Sequence, residues 1–188
     1  MKKELQIRKG NKDFKLSVEK PKSINPVDLE DLCDASMETM KDTMGFTLGN
    51  YTGASKINKD KMQTYWEGVM LVPEIILILG RLDGTISGSL QLVRPPQSNI
   101  SASFSCTIEN HFVAPWARGY GLSNMMLDYA EQVAKENGFT LIKLSVRETR
   151  ERAIKVYEKR GYKRWGVLPK YELDHGKIVK GFFYYKEL

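Results

Sequence analysis

The chain is 188 residues long with 41% hydrophobic content, which suits one domain, 1–188, able to bury its own core. Net charge is +6 with a sequence pI near 9.2, but lysines and arginines are interleaved with acids and form no basic stripe, zinc-finger spacing or ribonucleoprotein motif, so nucleic acid is excluded as the expected partner. The longest apolar run, Ile75 to Leu79 with its flanks, is too short to cross a bilayer, and Met1 to Lys20 lacks the apolar stretch of a signal sequence, so a cytoplasmic protein without membrane partners is expected.

Leu5 to Val18 holds two alternating stretches around Gly10-Asn11-Lys12, predicting a strand or a small hairpin. Asn25 offers an N-cap and Pro26 a first helical position. Leu29, Leu32, Cys33, Ser36, Met37 and Met40 then recur at helical spacing, predicting a first helix that ends near Gly45. Phe46 to Ile57 reads as a loop, and a second helix is predicted from about Lys59 to Val69. Glu74 to Leu79 and Ile86 to Val93 predict a hairpin around Arg81 to Thr85; Pro95-Pro96 breaks it, and Ile100 to Val113 predicts a long central strand. Leu122, Met125, Met126, Tyr129, Ala130 and Val133 mark the buried face of a third helix closed by Asn137-Gly138. Thr140 to Val146 predicts a strand, Thr149 to Arg160 a helix stopped by Gly161, and Tyr162 to Leu173 with Lys177 to Tyr185 two closing strands. That order is α+β, with about seven strands in a mixed central sheet flanked by about four helices. Cys33 and Cys106 fall in segments expected to be buried, and His111 and His175 are the only histidines, so no disulfide or metal site is expected.

Between Glu109-Asn110-His111-Phe112-Val113 and the third helix lies Ala114-Pro115-Trp116-Ala117-Arg118-Gly119-Tyr120-Gly121-Leu122-Ser123. Closely spaced glycines at a helix start leave N–H groups uncovered, and the helix dipole adds partial positive charge, which suits a diphosphate. The dinucleotide fingerprint fits badly this far along a chain, and no Gly-Lys-Ser/Thr ending exists. Arg118, Gly121 and Ser123 resemble the acyl-CoA-binding motif of the GNAT N-acetyltransferase superfamily: glutamine or arginine, two free positions, glycine, one free position, glycine or alanine. Ser123 departs from it by a hydroxymethyl group. Ala153-Ile154-Lys155-Val156-Tyr157-Glu158-Lys159-Arg160-Gly161-Tyr162 resembles the second family motif, with Arg150 where the family has asparagine. The two motifs stand in the family's order, separated by one helix and one strand. The resemblance is strong from Glu74 to Leu188 and architectural before that.

The resemblance implies a GNAT fold and acetyl-CoA as cosubstrate, held by Phe112, Val113, Arg118, Gly119, Tyr120, Gly121, Leu122 and Ser123, with Arg150 as a cation for a coenzyme phosphate. It implies a backbone N–H near Val113 as oxyanion donor and Tyr157 as general acid for the departing thiolate. It further implies Phe46, Tyr51 and Trp66 lining the acceptor pocket and Tyr171 touching the substrate, with homodimers frequent among relatives. For Phe46, Tyr51 and Trp66 the competing reading is satellite core beneath a long loop; for Tyr157 it is core beside Ala153 and Val156.

The reaction needs a base, because an alkylammonium with a pKa of about 10 has no lone pair until it loses a proton. On a regular strand Thr107, Glu109, His111 and Val113 share one face, making Glu109 the first candidate and His111 the second, unless a β-bulge resets the parity. A solvated carboxylate and a structural imidazole are the competing readings. Neither cysteine stands where the family would need a nucleophile, so direct attack by a primary amine in a ternary complex is expected. A reading from another class is a CoA-binding sensor or partner-binding module without turnover. The acceptor, a small-molecule or peptide amine, is left open.

Overall fold

The structure, a computed structural model, describes residues 2–43 and 58–188. Among them the chain forms β1 (Lys2–Lys9), β2 (Lys12–Glu19), α1 (Pro26–Thr43), α2 (Lys59–Leu71), β3 (Ile75–Leu82), β4 (Thr85–Val93), β5 (Ser105–Val113), α3 (Leu122–Glu136), β6 (Leu141–Arg147), α4 (Glu151–Lys159), β7 (Lys163–Asp174) and β8 (Lys177–Glu187). This is the expected α+β order with one strand more, because Leu5 to Val18 is a hairpin. Its arms pair from Lys2 with Glu19 to Lys9 with Lys12, and Gly10 takes a φ of 63° in the turn, a left-handed conformation open to glycine at no steric cost. The long strand expected from Ile100 starts later. Local bonds from Asn99 N to Pro96 O and from Ala102 N to Asn99 O wind Ile100–Ala102 into a 3-10 turn, and β5 begins at Ser105.

The chain divides into two compact units: Met1–Leu92 with Asn110–Ala130, and Val93–Glu109 with Glu131–Leu188. In the first, the hydrogen-bonded strand order is β1-β2-β3-β4, with β2 antiparallel to β3. Asn25 caps α1 as its sequence suggests, its Oδ1 accepting from the Asp28 N–H at 2.9 Å. Leu32, Cys33, Met62, Trp66, Leu77, Leu79, Ile86 and Phe112 close one core between α1, α2 and the strands. Arg81 on β3 forks onto both Asp28 oxygens, at 2.6 and 2.9 Å, and reaches Glu19 at 2.9 Å, tying α1 and β2 to β3. Two strand glycines seat α3. A Cβ at Gly80 would meet Met126 Sδ at 2.7 Å, and one at Gly88 would meet the Phe112 carbonyl oxygen at 2.5 Å.

In the second unit the order is β5-β6-β8-β7. β5 runs parallel to β6 from Ser105 opposite Leu141 to Thr107 opposite Lys143, whereas β8 is antiparallel to both β6 and β7. Gly161, at a φ of 83°, ends α4 where a left-handed residue was expected. Tyr157 and Tyr162 pack edge-on, 5.7 Å between centroids, and the Tyr184 hydroxyl donates to Glu158 at 2.9 Å.

Candidate active site

The bend into α3 is built by left-handed backbone. Gly119 and Gly121 take φ values of 80° and 90°, and the first helix-internal bond runs from Met125 N to Gly121 O at 3.1 Å. The N–H groups of Leu122, Ser123 and Asn124 therefore precede the helical ladder, at the positive end of the 15-residue α3. Leu122 is buried at 1% exposure, so only its backbone is available to a ligand. Arg118 steadies the bend from outside: its Nε donates to the Val113 carbonyl at 3.1 Å and its Nη1 meets Asp42 Oδ2 at 2.5 Å. The motif arginine is thus engaged by a carboxylate of α1.

Within β5, Asn110 takes a left-handed φ of 47°. Glu109 is exposed, whereas His111 is half-buried, its Nε2 3.2 Å from the Ser123 hydroxyl. The hydroxymethyl by which Ser123 departs from the family motif is the group that meets the imidazole. Asn110 turns its carboxamide inward, donating to the Tyr65 hydroxyl at 2.7 Å and to Gln91 Oε1 at 3.2 Å, and Gln91 donates to the same hydroxyl at 3.1 Å. Phe112 is core, its ring 6.4 Å from Trp66, which leaves its backbone alone for a cofactor role.

Trp66 has to be corrected as an acceptor-lining residue. It is 0% exposed, and its indole N–H donates to Ser36 Oγ at 3.1 Å in the core. The residue before it, Tyr65, carries the polar group that sequence reasoning missed. A signal was available, since Met62, Trp66 and Val69 continue the buried face of α2 at helical spacing. Phe46 and Tyr51 lie outside the described residues.

In the second unit Tyr157 is 6% exposed, and burial pushes its phenol well above the usual 10.0, so the group is protonated at neutral pH. Arg150, at the start of α4, is ion-paired with Asp174 at 3.4 Å. Asp174 also accepts from the Thr149 hydroxyl at 2.5 Å and pairs with Arg147 at 3.5 Å. Burial alone would raise the Asp174 carboxyl, yet Thr149, Arg150 and Arg147 together hold it below its ordinary range. Tyr171 is half-buried; its hydroxyl shares a hydrogen bond of 2.7 Å with Ser145, and its ring covers Gly181, where any Cβ would collide with it.

Residues 44–162 match the Acetyltransferase (GNAT) family. The chain belongs to the GNAT acetyltransferases. This acetyltransferase is 40% identical over 137 residues, 73% of its own length and 79% of the relative's, to an uncharacterized N-acetyltransferase in the hisH-hisA intergenic region of Azospirillum brasilense. Its fold is similar to an N-acetyltransferase from Staphylococcus aureus Mu50, with a TM-score of 0.74 at 16% identity over 92% of this chain and 98% of that one. It is also similar to yncA of Salmonella typhimurium, solved with its cofactor acetyl-CoA, with a TM-score of 0.69 at 11% identity over 92% and 93% of the two chains. The protein is therefore an acetyl-CoA-dependent N-acetyltransferase. The left-handed glycines and first-turn N–H groups of its bend fit that cosubstrate. Among the described residues of the acetyltransferase no cluster of three His, Cys, Asp or Glu could hold a metal, and no helix is long and apolar enough to cross a membrane.

Proposed function

We propose that this enzyme moves acetyl directly from acetyl-CoA to a primary amine, small-molecule or peptide, in a ternary complex. The observation that carries the reading is the bend from Arg118 to Ser123, which leads into the first turn of α3 and sets the Ser123 hydroxyl 3.2 Å from the half-buried His111 imidazole. Acetyl-CoA supplies the acyl thioester. The amides of Leu122 and Ser123, with the backbone of Gly119 to Gly121, hold its diphosphate. His111 takes the proton of the attacking amine, the new C–N bond turns the thioester carbonyl into an oxyanion, and as the carbonyl re-forms the C–S bond breaks and the Tyr157 phenol gives its proton to the departing thiolate. The backbone N–H of Val113 serves as oxyanion donor.

His111 is preferred to Glu109 as base because its ring is half-buried and oriented by a neighbour, whereas the Glu109 carboxylate is exposed. Tyr171 stays the acceptor-side candidate. The reading of one acetyltransferase domain, 1–188, is supported by a family match that includes segments of both units. Both cysteines are free, which accords with a reducing, cytoplasmic setting. Thiol release from acetyl-CoA, measured across a panel of polyamines, amino acids and peptide N-termini, should reveal an acceptor. Tight CoA binding with no thiol release on any of these amines would sink the catalytic reading.

A further inference from the structure

The N-terminal hairpin carries a cation to the bend. Lys9, the last residue of β1, holds its Nζ 3.9 Å from the centre of the Tyr120 ring. A Cβ built on Gly119 would lie 3.6 Å from that same nitrogen. Tyr120 is itself fixed from the other arm of the hairpin, where Phe14 packs edge-on against it at 4.8 Å between centroids. The ring face orients the ammonium without neutralising it, because a quadrupole carries no net charge. Among the described residues no carboxylate forms an ion pair with Lys9. Arg118, by contrast, already has Asp42 on its guanidinium at 2.5 Å and the Val113 carbonyl on its Nε at 3.1 Å.

We propose that Lys9 supplies the cation that neutralises the coenzyme's diphosphate at the bend. The amides at a helix N-terminus offer about half a positive charge, too little for a diphosphate, and an unpaired ammonium beside Gly119 provides a whole one. The chain gains this charge from β1, the first arm of the N-terminal hairpin. The inference rests on the reading that the bend from Arg118 to Ser123 holds the diphosphate.

Calorimetry of the full chain with CoA, and with dephospho-CoA that lacks the 3′-phosphate, tests it. Lys9→Gln should bind both ligands about five- to tenfold more weakly than wild type, with a shallower salt dependence, and Lys9→Arg should return affinity to within about twofold. Equal affinity of Lys9→Gln and wild type overturns the proposal. So does a loss seen with CoA and absent with dephospho-CoA, because it moves Lys9 to the ribose phosphate. Wild-type protein that binds neither ligand overturns the reading of the bend itself, and this inference with it.

Discussion

Tyr157 and His111 make different demands on the same turnover, and substitution separates them. Tyr157→Phe keeps the ring that packs on Tyr162 and removes only the proton donor, so kcat should fall about a hundredfold while the Kd for CoA stays within about twofold. A wild-type kcat in this variant would leave the phenol as core. For the base, His111→Gln should abolish the acid limb of the kcat/KM profile and Ser123→Ala should shift it, because Ser123 touches the imidazole. If Glu109→Gln removes that limb instead, the exposed carboxylate is the base. Asn110 is the third telling residue. At its φ of 47° a branched side chain strains the backbone, so Asn110→Val should cost about 1–2 kcal/mol more than Asn110→Gly in urea unfolding, although both lose the bonds to Tyr65 and Gln91. At this scale the sequence was partly legible. Asparagine is the non-glycine residue most at home in the left-handed region, but nothing in Glu109-Asn110-His111 says that the strand uses it there until its bonds to β4 and α2 are known. Ser123 was legible as a departure from a motif and His111 as a candidate base, but the contact between them was not.

Helices came through in sequence because both ends were signposted: Asn25-Pro26 opens α1, and Asn137-Gly138, with Gly138 at a φ of 80°, follows α3. The start of β5 did not, since Ile100, Ala102 and Phe104 alternate like a strand while the turn that consumes them is fixed by backbone bonds to Pro96 and Asn99. Equally invisible was the packing of α3 on β3 and β4. Gly80 and Gly88 look like weak points in two apolar strands, yet each is the space that Met126 or the Phe112 carbonyl fills. Gly88→Ala should therefore destabilise the protein by about 2–3 kcal/mol, because the new Cβ would press on the Phe112 carbonyl oxygen and Val113 Cα of β5. An unchanged urea midpoint would mean that β4 and β5 separate at little cost.

For the molecule as a whole, fold class and family were legible from two motifs in order, whereas the division into units was not. Each unit is assembled from two stretches of chain, and such a boundary leaves no linker in the sequence. Acid stability belongs to this scale. The Arg81 guanidinium beside Asp28 holds that carboxyl below its ordinary 3.8, so the bond's contribution is intact above that pH and is lost as pH falls through the lowered folded value. Arg81→Met should cost about 1–3 kcal/mol at pH 7. The gap from wild type should narrow below the ordinary carboxyl range; a constant gap down to pH 2 would show that Arg81 acts through packing alone.

Cys33 and Cys106 are both buried, and burial pushes their thiols up to about 11 and about 12. A chromogenic disulfide reagent attacks thiolates, so in a continuous spectrophotometric assay the folded enzyme should contribute almost no background colour. Every sulfur that reports at neutral pH would then be one released by turnover, and a slow rise without acceptor would time the opening of the native state.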